Sequence, residues 1–86
     1  MKDQFKISHS VDARGLRCPI PLLRAKQALK ALLVGDYLEV LTTDPSAKGD
    51  FDAMLKHLPH TLESHSMVAA DDENGTEFER FVIRKA

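Results

Sequence analysis

The apolar residues of this chain change period twice within its first half, and that switch constrains the fold more than any other feature. Phe5, Ile7, His9 and Val11 alternate with Lys6, Ser8 and Ser10, the two-residue repeat of a half-buried strand ending near Asp12. From Pro19 to about Leu33 the repeat becomes helical: Leu22, Ala25, Leu29, Leu32 and Leu33 share one face, with Arg24, Gln27 and Lys30 turned away from it. Gly35 reads as the C-terminal stop of that helix. Tyr37 to Thr42 then gives a second strand, apolar enough to predict a central position buried on both faces. A strand, a helix and a strand in this order form a parallel β-α-β unit, whose strand ends place their following loops together at one edge.

The second half repeats the theme with weaker signals. Asp44 and Pro45 mark a helix start, Asp44 as a cap for orphan amides and Pro45 at the first helical position, and Phe51, Met54, Leu55 and Leu58 supply the buried stripe. Pro59 ends this helix, because a residue ahead of proline is pushed out of helical geometry. Thr61 to Ala70 alternates poorly, which predicts a bulge or an edge strand. Asn74-Gly75 is the best hairpin turn in the chain, and Glu77 to Lys85 returns as the last strand. The expected order is β-α-β-α-β-β, a two-layer α/β sandwich in which two helices cover one face of a four-stranded mixed sheet.

With 86 residues there is room for one core and one domain, residues 1–86. Signs are balanced, at a formal net charge of -1, which argues against holding nucleic acid by phosphate contacts. No apolar run approaches the ~20 residues that span a bilayer, and residues 1–10 lack a signal-peptide core, so a cytoplasmic protein is expected. A single cysteine forms no internal disulfide and stays a free thiol.

That cysteine, Cys18, stands in the run Arg17-Cys18-Pro19-Ile20-Pro21. A lone free cysteine is ordinarily a small buried hydrophobe. Its context points the other way, because Arg17 and a helix N-terminus both favour a thiolate. With Cys18 as N-cap, Pro19 and Pro21 fall at the first and third helical positions and have no amide hydrogens, leaving the Ile20 amide as the main donor to the sulfur. The prolines therefore hold the sulfur outward with few donors around it, and predict a thiol pKa only moderately below that of a free cysteine. Gly15 reads equally as a positive-φ or close-approach residue and as part of an ordinary turn. Arg14, Arg17, Arg24 and Lys30 form either a basic surface near the thiol or a solvated charged face. Asp44 reads either as a plain helix cap or as a residue that the parallel topology brings against the Cys18 loop. His9, His57, His60 and His65 match no metal-binding spacing, and no metal is expected.

Asp12-Ala13-Arg14-Gly15-Leu16-Arg17-Cys18-Pro19-Ile20-Pro21, Thr43-Asp44-Pro45 and the closing Phe81-Val82-Ile83-Arg84-Lys85 together resemble the TusA/SirA-type sulfur carrier family. The likeness spans nearly the whole chain and implies the same sandwich. It also implies a shuttle that takes sulfur from a cysteine desulfurase or similar donor as a persulfide and relays it to an acceptor protein. The destination would be tRNA thiolation, molybdenum cofactor supply or sulfur oxidation. Cys18 matches the sulfur-bearing cysteine, Gly15, Pro19 and Pro21 its frame, and Asp44 the acidic loop residue nearby; Arg17 completes the frame on electrostatic grounds. Members tied to tRNA thiolation carry Glu between the two prolines, where this chain has Ile20, so partner choice is expected to differ. The implied protein works as a monomer, without a cofactor beyond the transient persulfide and without contacting nucleic acid or membrane.

Two other classes compete with this reading. A regulatory interaction module would use Leu23 and the basic helix face, its thiol being incidental. An RNA-binding domain is suggested by fold analogy alone. A thiol peroxidase lacks a second cysteine to resolve a sulfenic acid.

Overall fold

The computed structural model describes residues 5–17, 19–69 and 77–86; Cys18 and the expected Asn74-Gly75 turn lie outside the described residues. Six elements follow in the order β1 (Ile7–Ala13), α1 (Ile20–Ala31), β2 (Tyr37–Thr42), α2 (Ala47–Leu55), β3 (Thr61–Ala69) and β4 (Glu77–Arg84). The sheet order is β1-β2-β4-β3. β1 runs parallel to β2, and β4 pairs antiparallel with both β2 and β3. This is the mixed four-stranded sheet that the periodicity predicts.

Both helices contribute to one core. Ala25 and Leu29 of α1 and Ala47 and Phe51 of α2 pack with Val11, Ala13, Leu38, Val40, Phe81 and Ile83 of the sheet. The helices therefore share a face, giving two layers. The Phe51 and Phe81 rings stack at 4.7 Å, and Phe81 meets the His65 imidazole on its β3 side at 4.7 Å. His65 Nε2 also bonds Glu79 Oε2 at 2.6 Å, so the carboxylate that β4 carries into this face has a partner.

β2 is central, as predicted, but it is not buried on both faces. Leu38, Val40 and Thr42 are buried and alternate with half-buried Tyr37, Glu39 and Leu41. Among the described residues no helix lies on the far face of the sheet, which carries side chains of its own strands. Val82 is buried there beneath Arg80, which pairs with Glu39 at 2.5 Å, and Arg84, which pairs with Glu63 at 3.0 Å. These two ion pairs, part-buried, span the open face of the sheet.

β1 departs from simple alternation. A register shift between Ile7 and His9 interrupts its pairing with β2. Phe5 accordingly lies against Tyr37, ring centroids 5.1 Å apart, while Val11 and Ala13 enter the core. β3 shows both features that its poor alternation suggests, an edge position and a register shift between Leu62 and Ser64.

α1 is shorter than the hydrophobic pattern implies. It ends at Ala31, with Leu32 already extended, and Leu33 is 76 % exposed instead of sharing the buried face. Gly35 is thus not the helix stop. It occupies the turn closed by the Asp36 amide donating to the Leu33 carbonyl at 3.0 Å, at φ +92. α2 also starts late: Pro45 lies in the preceding turn, and Ser46 occupies the N-cap position.

His60 marks where the end of the chain returns to the fold. Its Nδ1 accepts the Ala86 amide at 3.1 Å, which requires an unprotonated Nδ1. Burial, followed by the charge of Lys85, pushes its pKa below the ordinary 6.5. As pH falls below that value the unfolded chain takes up a proton that the folded chain refuses, so this group subtracts stability on acidification. Urea midpoints measured against pH should therefore fall more steeply below about pH 6.5 in the wild type than in His60→Asn, which keeps an acceptor but does not titrate.

Candidate functional site

Ala13 and Thr42, the last residues of β1 and β2, are register partners, so the two following loops leave the sheet side by side. Between them lies an open depression of about 590 Å³ lined by Gly15, Leu16, Arg17, Thr43, Asp44 and Pro45. The parallel topology thus brings the Asp44 loop against the loop that leads to Cys18, as the strand order predicts. Asp44 is not the N-cap that the sequence predicts, a place Ser46 takes; its Oδ1 accepts the Ser46 amide at 3.0 Å and the Ser46 hydroxyl at 2.8 Å, holding the turn ahead of α2.

Gly15 sits at φ +82, and among the described residues beyond its chain neighbours no atom lies within 4 Å of the Cβ that a larger residue would add. Of the readings open from sequence, the conformational one holds and close approach does not. The Leu16 amide closes the turn on the Ala13 carbonyl at 3.1 Å. Gly15→Ala is expected to cost about 1 kcal/mol by backbone strain alone, read as a shift in denaturation midpoint.

The helix start differs from the capping scheme drawn with Cys18 as N-cap. Pro19 occupies the N-cap position and Ile20 is the first helical residue, so Pro21 is the second and not the third. The Ile20 amide donates to the Arg17 carbonyl at 2.9 Å and is not left over for a sulfur. With no amide hydrogen on Pro19 or Pro21, the helix start next to residue 18 is poorer still in backbone donors. Arg17 and Pro19, the two neighbours of Cys18, are both exposed, whereas Pro21 is buried. One proline anchors the helix into the core and the other stands in solvent.

The basic residues singled out in the sequence do not converge. Arg17 borders the depression. Arg14 is turned to the open sheet face, with its guanidinium 4.9 Å from the Phe78 ring centroid and 2.8 Å from Asp12 Oδ2. Those Arg14 side-chain and backbone bonds hold the Asp12 carboxyl down to about 2. Arg24 stands beside β1, and Lys30 lies with Lys26 and Lys85 around a separate small cavity. Two apolar side chains of α1 are exposed as well: Ile20 is 42 % and Leu23 52 % exposed.

Thr42, the last residue of β2, and Thr43, which follows it, escape a reading by residue type. Buried Thr42 accepts the Asp44 amide on Oγ1 at 3.1 Å, and Thr43 Oγ1 accepts the Gly15 amide at 2.9 Å. The signal available is a pair of hydroxyl residues immediately before Asp-Pro, a place where Ser and Thr side chains bond nearby backbone.

A family model described as Sulfurtransferase TusA matches residues 9–85. The chain belongs to the TusA family. The sulfur carrier protein TusA of Allochromatium vinosum is 41% identical over 76 residues, 88% of this chain and 91% of that protein. A relative in Neisseria meningitidis serogroup A is 49% identical over 55 residues, 64% of this chain and 74% of its own. Among solved structures, the SirA-like protein from Desulfitobacterium hafniense superposes with a TM-score of 0.63 at 25% identity, covering 87% of this chain and 95% of that one. The likeness to TusA proteins covers both loops of the depression and the closing strand.

Proposed function

We propose that this TusA-family chain is a sulfur carrier that holds its cargo as a persulfide on Cys18. The observation that carries this is the extended match to a protein named as a sulfur carrier, which takes in 88% of the chain. The described residues support the reading: Arg17 and Pro19 are exposed, the start of α1 has few backbone donors, and the depression that Arg17 borders leaves room for a partner's reacting segment.

In the loading step the Cys18 thiolate attacks the outer sulfur of a donor persulfide. A new S–S bond forms to Cys18, the donor's S–S bond breaks, and the donor leaves as a thiolate. In delivery an acceptor thiolate attacks the outer sulfur of Cys18-S-SH, and Cys18 leaves as the thiolate, restored for another cycle. Neither step changes the number of electrons in the system, so no oxidant or resident cofactor is called for. No base within the chain is demanded either, because a thiolate is already the nucleophile.

A cysteine desulfurase supplies the donor persulfide in this reading, and a thiol-bearing protein of a relay is the acceptor. Exposed Ile20 and Leu23, three residues apart on α1, give such partners an apolar foothold on the helix that follows Cys18 in the chain. The work belongs in a reducing compartment such as the cytoplasm, where a free thiol persists; among the described residues no helix is long and apolar enough to cross a membrane. The test is to incubate the protein with a cysteine desulfurase and cysteine and to measure intact mass before and after reductant. One added sulfur atom, removed by reductant, is the expected result; no gain from any competent donor defeats the proposal.

A further inference from the structure

Gly15 turns the chain out of β1 at φ +82. The loop then closes on itself twice, Leu16 amide to Ala13 carbonyl and Ile20 amide to Arg17 carbonyl. Within the first closure the Gly15 amide reaches across to the other strand's loop, where Thr43 Oγ1 accepts it at 2.9 Å. Thr43 is exposed, so its side chain is not there to fill the core. The preceding residue, buried Thr42, uses its own hydroxyl oxygen to hold the Asp44 amide.

We infer that Thr43 is a positioning residue for Cys18, a side-chain tie that makes the two loops of the depression one unit. Thr42 fixes the Asp44 rim to the end of β2, and Thr43 joins that rim to Gly15, three residues before the thiol. The tie acts through a hydroxyl acceptor. Valine, with the same branching and strand preference, keeps the shape and loses the bond; serine loses a methyl and keeps it. An exposed neutral hydrogen bond of this kind shifts a loop equilibrium by roughly two- to tenfold, since water replaces it in part. The inference rests on Cys18 being the working thiol, but it concerns the loop that presents it and not the sulfur cargo.

The experiment compares the wild type with Thr43→Val and Thr43→Ser in three measurements: hydrogen exchange of the Gly15 amide, the pH dependence of Cys18 alkylation by iodoacetamide, and thermal midpoint. Thr43→Val is expected to speed Gly15 exchange and to alter the alkylation profile by roughly two- to tenfold, while Thr43→Ser follows the wild type and all three midpoints agree. Superimposed alkylation profiles overturn the inference, as does a serine variant that behaves like valine. A large fall in midpoint for Thr43→Val, not rescued by serine, makes Thr43 a packing residue and overturns it too. Alkylation reads the thiol without any sulfur donor. A wild type that never loads sulfur yet shows the Thr43 effect therefore defeats the carrier proposal and leaves the tie standing.

Discussion

Cys18→Ser is expected to abolish sulfur loading outright, with no reducible mass gained under conditions in which the wild type gains one sulfur atom. The cause is chemical and not a matter of degree. A serine hydroxyl is not appreciably ionised near neutrality, and its oxygen does not take up sulfur in a thiol-exchange reaction, whereas a thiolate is the competent nucleophile. The chain has a single cysteine, so no second thiol rescues the variant. The substitution lies between two exposed residues, Arg17 and Pro19, and stability is expected to change by no more than about 0.5 kcal/mol. Loss of loading with an unchanged urea midpoint therefore separates chemistry from folding. Retained loading in the variant, or full biological activity without the thiol, makes the chain an interaction module with an incidental cysteine.

The largest expected effect on stability is at Phe81. Its ring is fully buried, stacked on Phe51 at 4.7 Å on one side and on His65 at 4.7 Å on the other. Phe81→Ala removes the centre of that stack and leaves a cavity whose walls, a helix and two strands, close only in part. Such changes cost about 3–5 kcal/mol, against a total stability of about 5–15 kcal/mol for a typical domain. A chain of 86 residues sits toward the lower end of that range, so the variant should be largely unfolded at a temperature where the wild type is folded. Circular dichroism during urea titration checks this. Met67→Ala on β3, where the side chain is 55 % exposed, serves as the control and should shift stability by less than about 0.5 kcal/mol. A Phe81→Ala loss no larger than the control's would mean that the three-ring stack is not the centre of the core.

The difference between these two predictions follows the two kinds of information in the chain. The core was legible because burying one face of a helix imposes a period, and Leu29 and Phe51 each obey it. Where the pattern misled, a local event had broken the period without changing composition. Leu33 continues the α1 repeat in sequence, but the helix unwinds at Leu32 and the side chain is left in solvent. Phe5 and Ile7 continue the β1 alternation, but a register shift separates them from Val11. β2 looks apolar on both faces because Leu41 and Tyr37 share a half-buried surface with the Arg80–Glu39 pair, a covering that only neighbouring strands supply.

At the site the division is similar. Residue identity and order alone determined the β-α-β-α-β-β succession, the free thiol, the family likeness around it, and the convergence of the Cys18 and Asp44 loops, because parallel strands end at one edge. Tertiary structure decided the start of α1 one residue later than a Cys18 cap requires, the engagement of the Ile20 amide by Arg17, the removal of Arg14 to the opposite sheet face, and the bond from Gly15 to Thr43. The physical reason is range. Periodicity, proline and turn chemistry act within a few residues and leave a mark in the local sequence. A hydrogen bond between residues 28 positions apart exists only once two strands have paired in register, and the hydroxyls before Asp-Pro do not by themselves say which amide they will take.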